Sequence, residues 1–174
     1  LGHIINLGKG VKLECLATSG KVIDYGKVKK ASGSENDLSI GWVLTYKNFT
    51  YYTGGDLGGY ETSNYADNET PLAPKVGDVD VMKIDHHASN YSSNPTFMQT
   101  LKPEVAIVNV GDGNTYRHPN GRVLRRITDT GCYIYQTQRG TGAGIPRGKG
   151  VVTNDDIIVS VTDSNYTVSY GDNS

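Results

Sequence analysis

Asp56 stands between two glycine pairs in the string Thr53-Gly54-Gly55-Asp56-Leu57-Gly58-Gly59. Bare backbone on both sides lets another group approach the carboxylate closely, which suits a metal ligand; an aspartate serving only a glycine-rich turn has the same signature. His86 and His87 directly follow the run from Asp80 to Ile84, which reads as a buried strand. Successive residues point to opposite sides of a strand, so at least one ring can project from the strand end as a ligand, the alternative being a solvated pair. His118 is another of the four histidines, and all three of these fall where a strand pattern gives way to a helix pattern, the kind of segment where sites collect. A carboxylate and imidazoles are a donor set for zinc, and also for other divalent metals.

The elements that must position these residues follow from hydrophobic period. Alternation over Gly10 to Ala17 predicts a strand that turns at Ser19-Gly20 into Lys21 to Asp24. The charged, Gly/Ser-rich segment Gly26 to Asp37 predicts a loop. Leu38 to Tyr46 and Phe49 to Thr53 form a second predicted hairpin across Lys47-Asn48, and residues 57 to 78 read as a long irregular stretch. After the histidines, Ser93-Asn94 can cap a short helix with Pro95 in its first turn and Phe97, Met98 and Leu101 on one face. Val105 to Val110 is a predicted strand, Pro119 to Ile127 a helix and Tyr133 to Gln136 a strand. Ile157 to Val161 pairs with Tyr166 to Tyr170 as a last hairpin. Antiparallel hairpins followed by β-α-β-α-β predict a mixed sheet with helices on one face, within the α/β or α+β class.

Composition sets the outer bounds. With 174 residues, a single domain can bury a real core; 36% hydrophobic residues with 22 Gly and 12 Tyr exclude a helical bundle or coiled coil. The net charge of -1 gives no global electrostatic case for a nucleic-acid or membrane surface, and no apolar run is long enough for a membrane span. Cys15 and Cys132 sit in apolar stretches, as buried thiols do, with a disulfide between them as the other reading. The polar, Tyr-rich composition points to an extracytoplasmic or secreted setting.

Three ordered motifs, the Gly54-Gly55-Asp56 turn, His86-His87-Ala88-Ser89 and Asn114-Thr115-Tyr116-Arg117-His118-Pro119, together with the strand and helix lengths between them, carry a family resemblance. Over about residues 10 to 130 the chain resembles the C-terminal half of metallo-β-lactamase-fold hydrolases, nearest to the competence-type (ComEC-type) hydrolase-domain branch. Ala88 replaces the usual glycine of the HHGS segment. The resemblance implies half of an αββα sandwich over residues 1–150, with 151–174 as a β-hairpin tail completing or flanking the sheet.

The same resemblance implies one or two zinc ions and a zinc-bound hydroxide that attacks a phosphodiester. Asp56 corresponds to the bridging carboxylate and His87 to the late histidine ligand, with His86 beside it or in its place. His118 is implied for phosphate contact or leaving-group protonation, Asn114 for orienting its loop, and Ser89, Ser92 and Arg117 for substrate contact, helix capping being the other use of the two serines. The family's HxHxDH motif is not found; the expectation is an N-terminal half lost or supplied by the same or a separate polypeptide, in keeping with the lack of an initiating Met, the alternative being a degenerate scaffold.

Charge patterning bears on the substrate. Arg117, Arg122, Arg125, Arg126, Arg139, Arg147 and Lys149 face only Asp129 between residues 117 and 149, a local surplus that suits nucleic acid or another phosphoester, or a solvated helix face. A rival from another class is a non-catalytic binding module in which Tyr51, Tyr52, Tyr60, Tyr65 and Tyr91 stack on sugars or bases.

Overall fold

The computed structural model describes residues 1–28 and 34–171, so the loop expected from Gly26 to Asp37 falls partly outside the described residues. The first half is antiparallel: β1 (Ile4–Gly8), β2 (Val11–Thr18), β3 (Lys21–Val22), β4 (Gly26–Lys27), β5 (Gly41–Tyr46) and β6 (Phe49–Thr53). Three β-α-β crossovers follow, through α1 (Glu69–Val76), β7 (Val81–Lys83), α2 (Pro95–Leu101), β8 (Val105–Val108), α3 (Gly121–Asp129) and β9 (Tyr133–Gln136). β10 (Gly150–Val152) adds in parallel to β9. These strands form one mixed sheet in the order β10-β9-β8-β7-β6-β5-β2-β3-β4, with β1 also paired to β2. The α/β class expected from the periodicity is the class observed.

Alternation along the strands sorts the core into two layers. Tyr52, Met82, Ala106, Val108 and Ile134 face the helices, where Leu72 of α1, Phe97, Met98 and Leu101 of α2, and Val123, Leu124 and Ile127 of α3 complete one apolar cluster. Full burial of each such side chain contributes about 1.5–3 kcal/mol. Phe49, Val81, Val105 and Ile107 face the other way and pack against an antiparallel hairpin of β11 (Ile157–Val161) and β12 (Tyr166–Tyr170). The helices therefore occupy one face and the C-terminal hairpin the other.

Three features depart from the expectations. β1 was not predicted, and its five residues are all exposed. Leu38 belongs to a short 3-10 turn, Glu35–Leu38, rather than to a strand. The stretch expected to be irregular contains α1, in which Leu72 and Ala73 are wholly buried and Pro74 stands inside the helix; tertiary packing here overrides the propensity of a run holding two prolines. Cys15 and Cys132 are buried and free, and burial pushes the Cys132 thiol up to about 12. Among the described residues, no helix is long and apolar enough to cross a membrane.

Candidate metal centre

Because β6, β7 and β8 run parallel, their carboxyl ends open on the same edge of the sheet. That edge is where open α/β sheets place their ligands. β6 leads into the Gly54–Gly59 turn, β7 into Asp85–Ala88, and β8 into the loop that reaches His118. Asp56, His87, Asn114, Tyr116 and His118 line one cleft of about 390 Å³ together with Asn36, Val110 and Gly111. Residues far apart in sequence thus meet because two consecutive crossovers return the chain to one edge.

Asp56 and His87 meet directly, imidazole to carboxylate. His87 Nδ1 lies 2.7 Å from the Asn109 carbonyl oxygen, so this nitrogen carries the proton and donates it. Nε2 lies 3.5 Å from Asp56 Oδ1, a contact that is an ion pair with a charged ring and that leaves the Nε2 lone pair beside the carboxylate with a neutral one. Two ligands about 2.1 Å from a tetrahedral zinc ion stand about 3.4 Å apart, so the pair fits zinc as two of its four donors. Among the described residues no group of three or more His, Cys, Asp and Glu is gathered to hold a metal ion. Completing a four-ligand centre therefore takes donors beyond this pair.

The backbone under these residues is unusual. His86, His87 and Ala88 have φ of 49°, 54° and 57°, three successive non-glycine residues in the left-handed region. Such a run costs free energy and persists only where its surroundings over-determine it. Here the His86 N–H donates to the Gly55 carbonyl at 3.0 Å, Ser89 N–H to the His86 carbonyl at 2.8 Å, and the Ser92 hydroxyl to the Asp85 carbonyl at 2.8 Å. Lys83 Nζ donates to the Gly55 carbonyl at 2.7 Å, and the Asp56 N–H to the Ser39 hydroxyl at 3.2 Å. The Asp56 turn and the histidine turn are thus tied to each other.

Two buried carboxyl groups lie beneath them. Asp85 accepts from the Tyr52 hydroxyl at 3.1 Å, while its Oδ1 faces the Gly54 backbone without a bond of good geometry. Burial raises its pKa to about 7 against the opposing pull of Lys83 and Tyr52. Glu69 accepts from the backbone N–H groups of Ser93 and Asn94, both at 2.6 Å, and burial, reinforced by Asp85, holds its carboxyl well above the usual range. These carboxyls and the Tyr52 hydroxyl explain two glycines: a Cβ at Gly54 would lie 2.0 Å from the Tyr52 hydroxyl and 2.6 Å from Asp85 Oδ1, and one at Gly59 2.0 Å from Glu69 Oε2.

The remaining expected residues divide. Asn114 clasps its own loop, donating to the Gly111 carbonyl at 2.9 Å and the His118 carbonyl at 3.2 Å while accepting from the His118 N–H at 3.0 Å. His118 lies in the cleft with its ring stacked on His87 at 6.2 Å. Its pKa is lowered by burial and then by His87, and that of His86 by burial first, against Asp56. His86 is hydrogen-bonded to Asn36, its Nε2 3.3 Å from Asn36 Nδ2, and its Nδ1 is buried without a partner. Arg117 is exposed on the same loop.

Ser92, expected at the substrate or as a helix cap, is wholly buried with its hydroxyl bonded inside the turn to the carbonyls of Asp85 and Ser89. Ser89 is also buried, and Asn94, not either serine, caps α2 by accepting from the Phe97 N–H at 2.8 Å. Within the basic stretch, Arg126 turns inward and donates to the Ser93 carbonyl at 2.5 Å. Of the tyrosines considered for stacking, Tyr52 is fully buried and Tyr51 packs against the second core. Glu69 and Tyr116 were missed; a glutamate in a run without strand or helix period carries no signal of burial, whereas Tyr116 lay within a motif already singled out.

The fold and cleft define a mixed α/β protein with a carboxylate–imidazole pair at the carboxyl ends of parallel strands. No protein-family model matches the chain. It is similar to ComE operon protein 3 of Bacillus subtilis (strain 168), with 38% identity over 36% of this chain and 8% of the relative. It is also similar to competence protein ComA of Neisseria gonorrhoeae, with 32% identity over 41% of this chain and 10% of the relative. Recombination protein 2 of Haemophilus influenzae is 32% identical over 36% of this chain and 8% of its own length. The expected likeness to competence-type proteins is thus found, and the matched segments span a tenth or less of those relatives.

Proposed function

We propose that this chain is the C-terminal half of a metallo-β-lactamase-fold hydrolase of the competence-type branch, acting as a zinc-dependent phosphodiesterase on nucleic acid in an extracytoplasmic setting. The observation that carries the reading is the convergence of Asp56 Oδ1 and His87 Nε2 at 3.5 Å, with the His87 tautomer fixed by Asn109. The relatives named for competence and recombination fit a nucleic-acid substrate. Further ligands come from a preceding segment or a separate polypeptide.

Asp56 and His87 would hold one zinc ion, or share in two. Bound there, zinc would supply Lewis-acid chemistry for a displacement at phosphorus. The chain's own residues do the rest. Asn109 keeps the His87 lone pair aimed, and the tied turns hold Asp56 opposite it without reorganisation. Asn114 fixes the backbone of His118 so that its ring meets the substrate phosphate or the leaving oxygen from the cleft wall. Arg117, exposed beside it, adds positive charge for the strand.

The test is hydrolysis of an oligonucleotide by the full-length protein carrying Asp56→Ala or His87→Ala. Loss of turnover with retained folding and reduced bound zinc is expected. Unchanged turnover in either variant contradicts the reading.

A further inference from the structure

A row of aromatic rings passes along the cleft. Tyr91 stacks on Tyr65 with centroids 4.8 Å apart and planes at 29°, and Tyr65 meets the edge of His86 at 5.8 Å. His86 meets His118 at 5.8 Å, and His118 stacks on Tyr116 at 5.9 Å with the planes only 15° apart. The two ends of the row are open: Tyr116 is 79% exposed and Tyr91 42% exposed. A single exposed tyrosine needs no explanation. Tyr116, however, is both a lining residue of the cleft that holds Asp56 and His87 and the outer member of a parallel stack on His118. Its ring adds little to the core, lying nearly parallel to His118 in a slipped stack with most of its surface in solvent.

A flat, solvent-facing ring beside a site for a phosphodiester matches the π-face of an unpaired base, and stacking of this kind is tolerant of sequence because every base has such a face. We propose that Tyr116 is a stacking platform for an unpaired nucleobase flanking the ester held at Asp56 and His87, which makes a single strand, or an opened end, the substrate form. The inference rests on the nucleic-acid reading above and deepens it. A paired base keeps its faces inside the duplex stack and cannot lie on Tyr116. Phosphate contacts alone, by contrast, would accept a strand without bases.

The test compares a fluorescent oligothymidylate with a base-free deoxyribose-phosphate strand of the same length, binding to the full-length protein being followed by stopped-flow anisotropy. Tyr116→Ala is expected to raise Kd for oligothymidylate about tenfold, the order of one lost base stack, while leaving Kd for the base-free strand unchanged. Tyr116→Phe is expected to retain the oligothymidylate affinity, since the ring and not the hydroxyl is used. Equal weakening on both strands, or no change on either, overturns the platform while the nucleic-acid reading stands. If the unaltered protein binds neither strand, the nucleic-acid reading falls and the platform falls with it.

Discussion

The strand-end edge that carries Asp56 and His87 and the sheet face covered by the C-terminal hairpin are built by different means. At the edge, short turns are fastened by backbone-directed hydrogen bonds and by carboxyls buried beneath them, and three successive residues are kept at positive φ. Of four buried side-chain atoms without partners among the described residues, three lie on Asp85, His86 and Ser93. On the hairpin face, Ile157, Val159, Val161 and Val168 lie on Phe49, Val81 and Ile107, and the polar fastenings are at the surface: the Tyr46 hydroxyl on Asp163, an ion pair of Lys47 with Asp163, and the Tyr166 hydroxyl on Glu104. One region spends stability on position, as ligand and active sites do; the other gains stability from apolar area and tolerates adjustment.

The largest effect that separates the two regions is on chemistry. Asp56→Ala is expected to lower hydrolysis by the full-length protein on the order of a thousandfold or more, the loss of several kcal/mol of metal-borne stabilisation, measured as kcat/KM on an oligonucleotide. Its unfolding midpoint is expected to move little, because the side chain is partly exposed. Next comes Gly54→Ala, whose methyl would press on the Tyr52 hydroxyl and Asp85. Overpacking there is expected to cost about 1–3 kcal/mol in denaturant unfolding and to loosen the Asp56 turn. A fully stable variant would show that the edge is not held as rigidly as described.

Glu69→Gln tests the buried support from below. The amide can accept only one of the two N–H bonds from Ser93 and Asn94, and leaves one donor facing another, at about 1–3 kcal/mol by thermal or denaturant unfolding. A neutral outcome would mean that the carboxyl is already protonated and shares one bond. The smallest effect belongs to the hairpin. Tyr166→Phe removes a surface hydrogen bond to Glu104 while keeping the ring on Phe49, so less than about 1 kcal/mol is expected, with faster amide exchange confined to β11 and β12. A global loss of stability would make the hairpin an integral part of the core.

How much of this was legible in the sequence follows from the range of each signal. Period-two alternation marked Val11–Thr18, Phe49–Thr53 and the β11–β12 hairpin, because those strands carry their own apolar face. Asp56, His87 and His118 could be nominated together since each ends a readable element, and the three-motif resemblance supplied their order. α1 was hidden because Pro71 and Pro74 break the helical pattern that Leu72 and Ala73 satisfy only once packed. β1 has no buried residue to mark it. The burial of Ser92, the inward turn of Arg126 and the pairing of Glu69 with the Ser93 and Asn94 N–H groups are contacts between distant segments, which no local pattern encodes.

The central claim is that Asp56 and His87 ligate one metal ion. An anomalous-difference map of the full-length protein, collected across the zinc edge, tests it most directly. A peak within bonding distance of both the Asp56 carboxylate and His87 Nε2, with further ligands from other parts of the polypeptide or a partner, is the result predicted. A well-ordered cleft with no peak in the presence of added zinc, or a zinc site that leaves both residues unliganded, contradicts it.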